Sequence, residues 1–421
     1  MKQNKIKPIK IEYGLHDEYI QYYDIEVPEH ESFSITDKKI ITHNSNLFGT
    51  IIGMAQDFVG SNNIPLFIPK GNFGSRRDPK SAASPRYIYT YLNPITNLIF
   101  RKEDERILNY LYEDTDQIEP EFYLPIIPTL LVNGTSGIGT GWSTDIPKYD
   151  PMALIMVIRK KLTKPDVRYA INPSYKDWNG DLDWNQDKNT YISKGIVNLS
   201  KNKKQAIITE LPVDVSTDKY ITILDKLSDE KKIKKYTDNS TDTTIHITVD
   251  LIENTKLNDL ENVLKLTSSI SINNMNTFLD NKIIKWNSTE EMLNRWFDIR
   301  LEYYSKRKTA WIEVLEMQYK RYFNLLCFIK SVIDNELIIN NRKKQDIISD
   351  LEEMEFEKYN DSFDYLLNIP IYHLSKEKYE EYKEQAKKMK NELKEYKLLR
   401  PEEIWDKELD ELEKALKKAG Y

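Results

Sequence analysis

Gly71-Asn72-Phe73-Gly74-Ser75-Arg76-Arg77-Asp78-Pro79-Lys80-Ser81-Ala82-Ala83-Ser84-Pro85-Arg86-Tyr87-Ile88-Tyr89-Thr90 packs small residues, cations and tyrosines into one segment. Lys70, Arg76, Arg77, Lys80 and Arg86 face a single acid, Asp78. Small residues let a backbone approach a phosphate closely, while Lys and Arg supply charge and forked donors. A tyrosine beside an arginine has the makings of a nucleophile, because the cation stabilises both a phenolate and the phosphate it attacks. Packing of an exposed Arg-Tyr pair is the plainer reading of the same residues.

The surrounding chain has 421 residues, a net charge of −6 and one cysteine. Such a length implies two to three domains. One cysteine excludes a disulfide framework and a multi-thiol zinc site. No run approaches the ~18 apolar residues of a membrane span, and Met1-Lys2-Gln3-Asn4-Lys5 opens no signal sequence, so a cytoplasmic protein is expected. The acidic net charge says little about polyanion binding, which local patches govern.

Short alternating runs at Ile9–Tyr13, Tyr23–Val27 and Ile40–Thr42 read as small β structure. A helix is expected over Leu47–Phe58, then the basic loop, then α+β structure from Pro120 to Lys285. Ser288-Thr289-Glu290-Glu291 has capping-box spacing. Apolar residues follow at 293, 297, 301, 304, 312, 315, 319, 322, 326, 329 and 333, one helical stripe roughly 65 Å long. A second stripe, Tyr379, Tyr382, Ala386, Met389, Leu393 and Tyr396, stops at Pro401. Two long stripes around a shorter segment predict an antiparallel coiled-coil arm with a small domain at its tip; a plain helical bundle is the alternative.

Several segments resemble, in order, the breakage–reunion region of type IIA DNA topoisomerases: Thr50–Asn63, Gly71–Thr90, Leu131–Thr144, Ile208–Pro212, Leu266–Ile270, Arg300–Tyr304 and Asp364–Pro370. Their flavour is that of the eukaryotic and tailed-phage enzymes, in which the phage region is a separate medium subunit. The resemblance implies an α+β, multidomain fold with a partial winged helix, an α/β tower, a long coiled-coil arm and a helical C-gate. Expected boundaries are 45–118 for the distal winged-helix part, 119–285 for the tower, 286–400 for the arm and gate, and 401–421 for a C-terminal helix.

The resemblance also implies roles. Tyr87 attacks a DNA phosphodiester, forming a 5′-phosphotyrosyl link and a free 3′-hydroxyl, and Arg86 neutralises the phosphate. Tyr89, expected as an alternating strand neighbour on the face of Tyr87, is given packing. Lys70, Arg76, Arg77 and Lys80 are expected to contact DNA. Ile138, within Gly137-Ile138-Gly139, is the apolar wedge that enters the minor groove; a buried Ile in a tight turn is the alternative. No Walker pattern occurs, and Asp181-Leu182-Asp183, after the turn Trp178-Asn179-Gly180, reads as a solvated turn rather than a metal site. No metal site is therefore expected here. Mg2+ and ATP would be bound by partner ATPase/toprim subunits, and the chain would act as a homodimer on double-stranded DNA. The family usually has an acid where Ser81 stands, so contact with the metal-bearing partner is expected to differ. Cys327 reads as core, and His246 and His373 lack metal-ligand spacing.

Residues 1–44 fit a different pattern. Tyr23-Asp24-Ile25-Glu26-Val27, Phe33 and Thr42-His43-Asn44-Ser45 resemble the C-terminal half of a split intein. His43 would polarise the Asn44 peptide bond, Asn44 would cyclise and Ser45 would accept the acyl group; Asp24 belongs to the same set. The usual histidine two places before Phe33 is replaced by Glu31, with His30 one place early. The missing N-terminal splicing block implies an N-terminal intein and extein partner that splices in trans. An ordinary extension is the alternative, as a catalytically inactive architectural DNA-binding dimer is for the whole chain.

Overall fold

The computed structural model describes backbone at 32–34 and from residue 41 onward, and side chains from Leu47, except at 140, 166, 253–258, 280–281 and 360. Asp24 and the strands expected at 9–13 and 23–27 lie outside the described residues. Contacts divide the chain into units 1–51 and 52–421. In the first, strands Ser32–Ser34 and Ile41–His43 pair antiparallel, Phe33 opposite Thr42. A helix, Asn44–Ala55, starts directly after His43, so Asn44 and Ser45 begin a helix; the side chains of His43, Asn44 and Ser45 lie outside the described set.

The second unit holds several apolar cores. The largest joins Ile64, Ile95 and Ile99 to Ile126, Leu131, Leu154 and Ile158, and both to Phe297, Tyr304, Trp405 and Leu412. Residues on both sides of position 118 thus contribute to one core, those of helix Pro151–Thr163 among them. The closing helix Pro401–Lys418 returns to the same core, with the Trp405 ring stacked on Phe297 and Tyr304 at 5.1 and 5.0 Å. Pro401 ends one helix and occupies the first turn of the next, where its missing N–H costs nothing.

A separate core belongs to a four-stranded antiparallel sheet, in spatial order Ile196–Leu199, Gln205–Glu210, Ile247–Leu251, Ile233–Asp238. Alternation buries Ala206, Ile208, Ile247 and Val249. The helix Thr217–Asp229 covers them with Tyr220, Leu224 and Leu227. Asp181–Asn185 is a strand, not a turn, because its backbone pairs along Thr190–Lys194.

The long helix runs from Thr289 to Ile333, 45 residues, about 68 Å. Its cap follows the expected box with one change: Ser288 accepts from the Glu291 N–H at 3.1 Å, while Glu291 reaches the Asn287 N–H at 3.0 Å. Helix Lys376–Leu398 runs back beside it, as the Lys308–Lys397 hydrogen bond and the Tyr322–Tyr382 ring contact show. Between them, Phe328, Ile329, Leu337, Leu351 and Leu366 build a small helical core.

Candidate active site

Strands Phe67–Lys70 and Tyr89–Leu92 pair antiparallel, Lys70 opposite Tyr89, and the loop 71–88 springs from their ends. Gly74 sits at φ +91°, and a Cβ there would come within 2.6 Å of the Pro79 carbonyl oxygen. The Gln56 amide donates to the Phe73 and Pro79 carbonyls, both at 2.9 Å, bridging the turn from inside. Asn72 ties the outgoing leg to the returning one: its amide donates to Ser81 O at 2.8 Å, and its backbone carbonyl accepts from Ala83 N at 2.9 Å.

The returning leg ends in a 3₁₀ turn, Pro85–Tyr87, in which Tyr87 N donates to Ser84 O at 2.9 Å. Pro85 fixes φ and starts the turn. It lifts the Tyr87 ring into solvent, 69% exposed, with the Arg86 guanidinium carbon 5.5 Å from the ring centre. Tyr89 opens the strand whereas Tyr87 belongs to the turn, so the two do not share an alternating face as expected. Tyr89 and Tyr91 are exposed too, with Lys70 Nζ 5.9 Å from the Tyr91 ring centre. Lys70, Lys80 and Arg86 are exposed cations of this surface.

Arg76 and Arg77, expected to contact DNA, both have carboxylate partners within this chain. Arg76 is buried, and its guanidinium is engaged by the buried carboxylate of Glu210. Burial pulls its pKa down from the ordinary guanidinium value. Arg77 meets Asp238 at 2.6 Å and Asp218 at 3.2 Å, and its pKa is raised chiefly by the hydrogen bond to Asp238. Both cations are consumed in holding the loop to the four-stranded domain. Glu210, Asp218 and Asp238 were not legible as partners, although Glu210 lies inside the family-like Ile208–Pro212 segment.

Ile138 ends a strand, Thr135–Ile138, paired with Ser143–Ile146, so it stands at a hairpin tip. It is 94% exposed, which removes the alternative of a buried Ile in a tight turn. Trp142, on the other side of the tip, is half exposed.

Among the described residues no group of three or more His, Cys, Asp or Glu side chains is placed to hold a metal ion. Asp183 is taken by Lys194 at 2.7 Å. Among the described residues no helix is long and apolar enough to cross a membrane.

An exposed tyrosine thus stands beside an arginine on a braced loop, and an exposed apolar residue stands at a hairpin tip. The family model for the DNA gyrase/topoisomerase IV A-subunit matches residues 43–410, and the chain belongs to that family. It is 34% identical over 391 residues to the mitochondrial DNA topoisomerase 2 of Dictyostelium discoideum, covering 89% of this chain and 30% of that one. It is 35% identical over 405 residues to DNA topoisomerase 2-alpha of Gallus gallus, covering 87% and 26%. The crystal structure of the Plasmodium falciparum topoisomerase II DNA-binding, cleavage and re-ligation domain superposes with a TM-score of 0.82 at 35% identity, over 89% of this chain and 55% of that one. The chain thus spans under a third of the length of these curated relatives.

Proposed function

We propose that this chain is the DNA-cleaving part of an ATP-dependent type II DNA topoisomerase, of the tailed-phage medium-subunit type, acting as a homodimer on double-stranded DNA in the cytoplasm of a host cell. The observation that carries the reading is the Tyr87 phenol, held in solvent by a braced loop with Arg86 beside it. The phenolic oxygen attacks a backbone phosphorus and gives up its proton. The P–O3′ bond breaks, and the 3′-oxygen leaves with the bonding pair and takes a proton. Arg86 offsets the charge on the phosphate oxygens, and positioning supplies most of the remaining rate. The free 3′-hydroxyl later attacks the phosphotyrosyl bond and reseals the strand. Lys70 and Lys80 hold flanking phosphates, and Ile138 wedges the duplex.

The four-stranded domain is the tower of this reading, and the paired helices Thr289–Ile333 and Lys376–Leu398 are its coiled-coil arm. Two copies meet at the tip of the arm, where Ile371 and Tyr372 are exposed. Magnesium and ATP are held by partner ATPase/toprim chains. Residues 1–44 are a split-intein half removed after Asn44; what supports this is the His43-Asn44-Ser45 triplet at the place where the family match begins.

Denaturing the DNA-bound complex in mid-reaction tests the cleavage reading. DNA should remain covalently attached to Tyr87, and Tyr87→Phe should abolish the adduct while leaving DNA affinity nearly intact. A complex that binds DNA but never yields the adduct would instead be an inactive architectural dimer.

A further inference from the structure

The loop that presents Tyr87 is tethered on one leg only. Hydrogen bonds of residues 81–88, among the described residues, stay within the loop: Ser81 and Ala83 to Asn72, Tyr87 to Ser84. The other leg is fastened to three elements of the four-stranded domain. At the end of strand Gln205–Glu210, the Glu210 carboxylate accepts from Arg76, from Leu211 N at 2.8 Å and from Asn179 N at 3.2 Å. At the start of helix Thr217–Asp229, the N–H groups of Thr217 and Asp218 donate to the carbonyls of Arg76 and Arg77, using helix-end donors that have no partner within the helix. On strand Ile233–Asp238, Asp238 takes the Arg77 guanidinium, which also donates to Ser240 O at 3.3 Å.

Arg76 lines two open clefts of about 390 and 530 Å³. The Arg76–Glu210 tether between the loop and the domain is itself buried. From those tethers the connection to the nucleophile is short and stiff: Arg76 to the Gly74–Pro79 turn, that turn to Asn72, and Asn72 to Ser81 and Ala83.

We propose that Glu210 is a positioning residue for Tyr87, acting through Arg76, so that the placement of the four-stranded domain sets the reach of the nucleophile. The inference rests on the cleavage reading above. A buried guanidinium that loses its carboxylate does not stay in place, and a displacement of about 1 Å at a reacting group costs on the order of 100-fold in rate.

The test compares wild type, Glu210→Gln, Arg77→Ala and Arg77→Lys, each in the complex with its partner chains. At saturating double-stranded DNA, adduct formation should slow about 10- to 100-fold in Glu210→Gln. It should slow about threefold in Arg77→Ala and less in Arg77→Lys, which keeps the charge but not the forked donors. DNA affinity should stay within about twofold throughout, because the phosphate contacts lie elsewhere. Amide exchange at 81–88, measured on the same proteins, should speed up in Glu210→Gln. Unchanged adduct rates in folded Glu210→Gln, or a rate loss fully explained by weaker DNA binding, would overturn the proposal. Should Glu210→Gln not fold, an unchanged rate in Arg77→Ala overturns it. Absence of any adduct in wild type, with faster exchange in Glu210→Gln, would instead sink the cleavage reading and leave the tether standing.

Discussion

Arg300 grips Asp104 through both carboxylate oxygens, at 2.7 and 3.3 Å, in a site where neither side chain is more than 4% exposed. Arg307 approaches the same carboxylate at 3.4 Å and also engages Glu408. The two guanidinium carbons lie 4.1 and 4.6 Å from the centre of the Tyr304 ring, and the Tyr304 hydroxyl donates to Glu408 at 2.6 Å. One carboxylate therefore serves two buried cations where the long helix, the closing helix and the Lys102–Ile107 turn converge.

Asp104→Asn should accordingly destabilise the core by about 3–5 kcal/mol, because it strands buried charge. The lowest melting transition in calorimetry should fall by several degrees. A change under about 1 kcal/mol would show that Glu408 alone suffices to hold both arginines.

Ile138→Ala should weaken DNA bending, read by energy transfer between duplex ends, and lower adduct yield about tenfold, a loss of roughly 1.4 kcal/mol. Affinity should change by less than about threefold, since phosphate contacts carry most of it. The expectation follows from the 94% exposure of a side chain that gains nothing from folding where it stands. Unaltered bending would remove the wedge.

Cys327 is half-buried on the long helix, and burial raises its thiol pKa, only partly offset by Lys330. A raised pKa means less thiolate at a given pH, and thiolate is the species that alkylates. Reaction with iodoacetamide in the folded chain should therefore be slow at about pH 8, and its pH midpoint should lie above that of the urea-unfolded chain. Equal midpoints would place the thiol in water.

What the sequence made legible was local. Arg86-Tyr87 and Gly137-Ile138-Gly139 are read within a few residues, and Tyr87 and Ile138 stand exposed in a turn and at a hairpin tip. The helical stripes were legible because 3.6-residue periodicity is local as well. Pairings across the chain were not. Arg76 and Glu210 are 134 residues apart, and an arginine next to glycines looks the same in sequence whether it meets a phosphate or a buried carboxylate. The pairing of Arg300 and Arg307 was missed for a related reason: they sit inside an apolar stripe, and their partner Asp104 belongs to a segment with no periodicity of its own. Pro401 was read both as an end and as the start of a C-terminal helix; what the sequence did not show is that Trp405 of that helix completes the main core.

The intein reading makes a prediction in mass. Asn44 would attack its own carbonyl through its side-chain nitrogen, breaking the bond to Ser45 and leaving a cyclic imide on the 1–44 fragment. That fragment should be lighter by one water than a hydrolysed one, and Ser45–Tyr421 should appear joined to an upstream segment. Asn44→Ala removes the attacking amide and should leave the 44–45 bond intact. Ser45→Ala should block transfer of the upstream segment yet still allow slow cleavage after Asn44. The backbone at the junction passes from a strand ending at His43 straight into a helix beginning at Asn44, so cyclisation requires that first helical turn to open, and cleavage should speed up in mild denaturant before the chain unfolds. Intact mass of the native protein is the measurement; fully active material that keeps residues 1–44 would make the segment an ordinary extension.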